Sequence, residues 1–224
     1  GGVINIITKR GSGTPTAFAS IEGGSYETFI EKAGSSGAVG NADYSLALSR
    51  EDSASISAAA NSAGNSEPDG YHNTSGSAKL GYTTALADFD LSGRIHNTNA
   101  DIDNSGGAGQ DDPNRHLNTN QYSLRAAASS SALISALEQT ASVSFAETSY
   151  DDNNDPDDAH PLDRLRSQFT GSMLKFDLLN TYSIDKDQRL VLGIETEKER
   201  GDSDYASDGE FGPFNTTFAK KDAR

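Results

Sequence analysis

Apolar and polar side chains alternate along most of this chain. From Ala87 to His96, one side of an extended backbone carries Ala87, Phe89, Leu91, Gly93 and Ile95. The other side carries Asp88, Asp90, Ser92, Arg94 and His96. A two-residue period belongs to a β-strand with one greasy face. It returns with Tyr44, Leu46 and Leu48; with Ala78, Leu80 and Tyr82; and with Tyr122, Leu124, Ala126 and Ala128. Further on it returns with Ala141, Val143 and Phe145; with Leu174, Phe176 and Leu178; and with Leu190, Leu192 and Ile194. None of these segments fits the helical period. The pattern predicts about ten strands, near 15–22, 26–36, 42–53, 73–84, 86–98, 118–130, 136–149, 165–183, 189–200 and 212–220.

The connections alternate too. Short ones fall at Gly40-Asn41, Thr84-Ala85, around Leu133 to Ser135, and at Asp185-Lys186-Asp187; long ones cover about 54–72, 99–117, 150–164 and 201–211. Short turns at one end and long loops at the other describe an all-β, antiparallel up-and-down transmembrane barrel, of which about ten strands are visible. The apolar face then meets lipid. The polar face, with Ser45, Ser49, Lys79, Asp88, Asp90, Arg94, Ser142, Ser144, Lys175, Asp177, Glu195, Glu197 and Glu199, lines a hydrated or plugged bore. A narrow dry barrel could not hold so many charges, because burying one unpaired costs several kcal/mol. The tyrosines are expected in two rows at the lipid–water borders: Tyr44, Tyr82 and Tyr182 at the short-turn ends, and Tyr26, Tyr71, Tyr122, Tyr150 and Tyr205 at the opposite ends.

Composition narrows the function. With 18 basic against 33 acidic side chains the net charge is −15, so the basic footprint that binds phosphates is missing and nucleic acid is not an expected partner. The absence of cysteine removes disulfides, thiol catalysis and zinc–thiolate sites. No apolar run approaches the roughly 18 residues of a membrane-spanning helix. A hydrophobic fraction of 34% is low for a globular core, and it suits a wall with lipid outside and water inside. No enzyme is expected: there is no G-x-S-x-G elbow, and the same-face pairs Asp88/Asp90 and Glu195/Glu197 are what any wet lumen requires.

Much of the negative charge lies in the long connections. Asp101-Ile102-Asp103-Asn104-Ser105-Gly106 through Asp112 places acids or oxygen side chains at positions one, three, five and twelve, with glycine at six. That reproduces much of a calcium loop, since a hard cation wants six to eight oxygens around a tight turn. The candidate ligands are Asp101, Asp103, Asp111 and Asp112. Strands rather than helices flank them, and Asp112 stands where a calcium loop has glutamate; a simply solvated acidic loop is the other reading. Asp151-Asp152-Asn153-Asn154-Asp155-Pro156-Asp157-Asp158 has Pro156 where a calcium turn wants glycine; helping to bind the same ion from the neighbouring loop is one reading, and a hydrated surface that repels polyanions is the favoured one, while Asp202, Asp204, Asp208 and Glu210 repeat the theme. His72, His96, His116 and His160 sit in or beside these loops without the spacing of a zinc site.

The opening segment Gly1-Gly2-Val3-Ile4-Asn5-Ile6-Ile7-Thr8-Lys9-Arg10 is a short β-branched run ended by basic and glycine residues. It resembles the stretch that closes the plug domain of TonB-dependent outer-membrane receptors and leads, through a linker like Gly11-Ser12-Gly13-Thr14, into the first barrel strand. Glu67-Pro68-Asp69-Gly70-Tyr71, followed by Leu80-Gly81-Tyr82, is similar to the early barrel of the cobalamin and siderophore receptors. The resemblance implies that residues 1–12 are the last plug strand and linker, and that residues 13–224 are the N-terminal part of a 22-stranded barrel. A fragment is therefore expected. It further implies residence in the bacterial outer membrane, with lipid, the TonB energy-coupling complex and a scarce nutrient such as cobalamin or a ferric siderophore as partners. No cofactor is required; calcium in the extracellular loops is the ion that the cobalamin branch implies. The rival expectation is a secreted, calcium-dependent β-rich binding or adhesion module.

Overall fold

In a computed structural model, the chain is described over residues 9–57, 59, 61–103, 111–134, 136–158, 160–209 and 212–223. Most of the plug-like segment, residues 1–8, lies outside them, as do Asn104, Ser105 and Gly106 of the calcium-like loop. Ten strands form: β1 (Thr16–Gly23), β2 (Phe29–Val39), β3 (Ala42–Ser53), β4 (Tyr71–Thr83), β5 (Asp88–Asp101), β6 (His116–Ile134), β7 (Leu137–Asn154), β8 (Arg164–Ser183), β9 (Arg189–Gly209) and β10 (Gly212–Ala223). Each pairs antiparallel with the next in chain order, in one sheet. Among the described residues β1 and β10 each have one neighbour, so the wall is open at two edges.

Pairing keeps the alternation in register from strand to strand. Leu80 faces Leu91, which faces Ala126, then Val143, then Phe176. One residue along each strand, Lys79, Ser92, Arg125, Ser144, Lys175 and Glu197 form the neighbouring polar row. The apolar rows lie bare on the convex side: Leu48 is 61% exposed, Ile95 49% and Ile194 66%. Among the described residues Ala59 is the one buried apolar side chain. This wall has no interior oil of its own, and a surface so broadly apolar must be covered by something other than water. Lipid covers it in a transmembrane barrel, which is the fold seen here in part.

The concave side holds charges in pairs. Arg10 Nε lies 2.6 Å from Asp43, Lys79 lies 3.9 Å from Asp90, and Lys175 lies 2.7 Å from Glu195 and 3.4 Å from Asp177. Arg10 brings the linker across the short-turn end of the bore. There Ala38 N donates to Gly13 O at 2.8 Å, and a Cβ on Gly11 would lie 2.0 Å from the Tyr44 carbonyl oxygen. Only glycine permits that approach.

Strand tilt can be read from the register. Tyr44, Tyr82 and Tyr182 each close the apolar stripe of their strand at the short-turn end. Yet the ladder row through Tyr44 runs by Leu80, Leu91, Ala126 and Val143 to Phe176, well short of Tyr182. Ladder rows run perpendicular to the strands, whereas a membrane is perpendicular to the barrel axis, so tilted strands make the apolar band slide from one strand to the next.

Two expectations are corrected. Asp151 to Asn154 belong to β7, and β9 continues to Gly209, which pairs with Gly212. Residues 201–209 are therefore strand rather than long loop, and Asp202, Asp204 and Asp208 stand on the outward face beyond the apolar stripe, while Glu210 lies outside the described residues. Above the bilayer both faces are wet, so the period disappears from the sequence while the backbone ladder continues unchanged. The tyrosines differ as well: Tyr71, Tyr150 and Tyr205 point to the polar face. Tyr71 Oη donates to Glu51 at 2.5 Å, Tyr150 packs on Phe169 with ring centroids 6.1 Å apart, and Tyr205 on Phe214 at 6.0 Å. Tyr122, paired with Ile95, faces outward at that end as expected.

Candidate functional site

The hairpin ends opposite the short turns bring together the described parts of three acidic connections: residues 54–57, 59 and 61–70 of the first, 102–103 and 111–115 of the second, and 155–158 and 160–163 of the third. They are neighbours because β3 pairs β4, β5 pairs β6 and β7 pairs β8 within one sheet. Aspartates of the second connection hold the backbone of the first. Asp103 accepts from Ala59 N at 2.8 Å and from Asp112 N at 3.2 Å; Asp111 Oδ2 accepts from Ser66 N at 2.8 Å and Glu67 N at 3.3 Å. Asp101 N donates to Gly70 O at 2.9 Å, and the Asp101 carboxylate lies 2.8 Å from His116 Nδ1.

The second connection is tied to the end of β7 by charge and to the third connection by a hydrogen bond. Arg115 forks onto Asp152 at 3.0 and 2.8 Å, and Asn114 Nδ2 donates to Asp155 O at 2.6 Å. Arg166 Nη2 donates to both carboxylate oxygens of Asp155, at 2.8 and 2.9 Å. Asp112 is 1% exposed; Asn154 Nδ2 donates to its Oδ2 at 2.5 Å, and its Oδ1 is buried without a hydrogen bond. Asp111 Oδ1 and Glu67 Oε2 are likewise buried without hydrogen bonds.

The expected calcium ligands thus take different places. Asp101 and Asp103 are engaged in pairing and in holding backbone donors, whereas Asp111 and Asp112 each keep one buried oxygen unbonded. Among the described residues, the group whose ligand atoms converge is Asp112, Asp157 and His160, all within 4.8 Å of one another. The sequence places Asp157 in a second acidic loop able to help bind the first loop's ion and gives His160 no zinc spacing, but it pairs neither residue with Asp112. The signal available was their three-residue spacing in a turn; nothing local pointed to Asp112, 45 positions earlier.

Glu67 shows what this crowding does to a carboxyl group. Burial, and then the charges of Asp69, Asp103, Asp111 and Asp101, push it up from 4.5 to about 7. A raised acid is neutral in both folded and unfolded chains below pH 4.5, and costs nothing there. Between pH 4.5 and 7 the unfolded chain ionises first, so stability falls as pH rises and stays low above 7. Glu67→Gln is expected to raise the melting temperature at pH 8 and to leave it unchanged at pH 4; equal shifts at both would show that Glu67 is not strained by its charge.

No family model matches the chain, and no curated protein matches it. Solved structures do. One is the copper transporter OprC, 17% identical with a TM-score of 0.67, over 95% of this chain and 33% of OprC. Another is the ferric yersiniabactin uptake receptor FyuA from Yersinia pestis, 15% identical with a TM-score of 0.58, over 100% of this chain and 45% of FyuA. The chain thus spans less than half the length of either protein, and at these identities what it shares with them is the fold: an antiparallel up-and-down barrel wall.

Proposed function

We propose that this chain is part of a TonB-dependent outer-membrane receptor, with residues 1–12 as the end of the plug and residues 13–224 as the first part of the barrel. The observation that carries the proposal is the inverted wall: apolar rows bare on the convex face, paired charges on the concave face. An open sheet in lipid would leave the outer edges of β1 and β10 with unpaired backbone groups, so further strands complete the barrel. The complete receptor takes up a scarce nutrient such as cobalamin or a ferric siderophore, which the outward loops capture. Energy comes from the TonB complex acting through the plug. The likeness in fold to a transporter and an uptake receptor supports uptake over catalysis. A secreted adhesion module is disfavoured, since it would leave the rows of Leu91, Val143 and Phe176 in water.

Orientation supplies the test. These 224 residues have no cysteine, so Asn61→Cys in the first long connection and Asp187→Cys in a short turn can each be introduced alone into the full-length natural protein, with any cysteine elsewhere in it replaced by serine. In whole cells an impermeant maleimide is expected to label Asn61→Cys, and to label Asp187→Cys only after the outer membrane is broken. Labelling of both in whole cells, or recovery of the protein in the detergent-free soluble fraction, would overturn the proposal.

A further inference from the structure

We propose that Asp112, Asp157 and His160 form a binding site for a first-row divalent transition-metal ion, which fastens the β7–β8 connection to the β5–β6 connection. Two observations carry this independently. The first is convergence: one ligand atom from each of the three residues lies within 4.8 Å of the others, although they come from two connections. Metal–ligand bonds of about 2.0–2.2 Å place neighbouring donors roughly 3–4 Å apart, so a small side-chain adjustment closes the set on an ion.

The second is Asp112 itself. It is 1% exposed, and Asn154 holds its Oδ2 while Oδ1 is buried with no hydrogen bond. Arg115 is close enough to feel the charge of Asp112, but its fork is engaged with Asp152. A buried carboxylate oxygen in this state calls for a cation.

The turn presents the other two ligands on one side. His160 N donates to Asp157 Oδ1 at 2.6 Å, and Asp157 N to His160 O at 3.3 Å. His160 Nδ1 then sits 3.4 Å from Asp157 Oδ1. The donor set names the class of ion. Calcium and magnesium seek oxygen and gain little from an imidazole, whereas zinc and its first-row neighbours accept nitrogen and carboxylate together. Three protein ligands leave coordination positions open to water. The site differs from the calcium set expected around Asp101 and Asp103, with which it shares only Asp112.

The test uses the full-length natural protein in detergent, stripped with a chelator and titrated calorimetrically with zinc chloride alone, then with calcium chloride alone. Zinc is expected to bind once at this site and to raise the melting temperature. His160→Ala and Asp157→Asn should each weaken that binding by about tenfold or more and abolish the thermal shift, while His72→Ala leaves both intact. Heat-modifiable mobility on gels verifies that each variant is folded. Zinc affinity unchanged by both substitutions, or a thermal shift produced equally by calcium and indifferent to His160→Ala, would overturn the site. Should the protein prove soluble without detergent, the receptor proposal fails; the same titrations, run in buffer, still decide the metal site.

Discussion

Arginine introduced at Ala126 is expected to destabilise the folded barrel by about 2–4 kcal/mol, whereas arginine at Ala127 is expected to cost close to nothing. The two alanines are adjacent in β6 and chemically identical, so local strand propensity is the same for both. Their neighbours differ. Ala126 lies between Leu91 and Val143 in an outward apolar row, and Ala127 between Asp90 and Ser142 on the concave face. A guanidinium on the first must be dragged into hydrocarbon or force its neighbours to distort. On the second it meets water and an acid. Denaturant unfolding of the full-length protein in lipid measures both. A greater loss at Ala127 than at Ala126 would mean that the polar face is the one in contact with lipid, and the inverted wall would be abandoned.

The second large effect is expected at Arg115. Its side chain is 18% exposed and that of Asp152 is 21% exposed, and the fork between them is bidentate. Asp152 holds the Arg115 proton more tightly than usual, through the hydrogen bonds first, against the opposing cost of burial. Arg115→Ala leaves Asp152 without its partner beside an already acidic cluster, and should cost the loop assembly about 3 kcal/mol. Arg115→Lys restores charge without the planar fork and should recover only part of that. Hydrogen exchange localises the damage. The Ile102 amide, which donates to Arg115 O at 3.1 Å, should lose protection, while amides in the middle of β6 keep theirs. Uniform loss across β6 would show that the fork supports the whole wall rather than the loops.

How much of this was legible in the sequence varies with the solvent around each residue. Within the bilayer the two faces of a strand meet different media, so Leu91 and Ser92 announce their sides by composition alone, and the register confirms each. Past the bilayer both faces meet water. That is why the alternation stops before β7 and β9 do, and why Asp202, Asp204 and Asp208 read as loop in the sequence while the ladder carries them as strand. Tyr150 and Tyr205 are ambiguous in the sequence for a related reason. A tyrosine near a strand end suits a membrane border, yet it also suits an aromatic contact inside the mouth of the bore, as with Phe169 and Phe214.

Legible from the chain alone, then, were the two-faced strands, their up-and-down order and the end at which acidic charge accumulates, because each is a local property repeated every two residues or every hairpin. Only the folded sheet decided where the strands stop, and which carboxylates are engaged and which keep a buried oxygen unbonded. It also decided that Asp112 meets Asp157 and His160. Those outcomes depend on which ladder rows stand side by side, a distance set by strand tilt and pairing between segments remote in sequence.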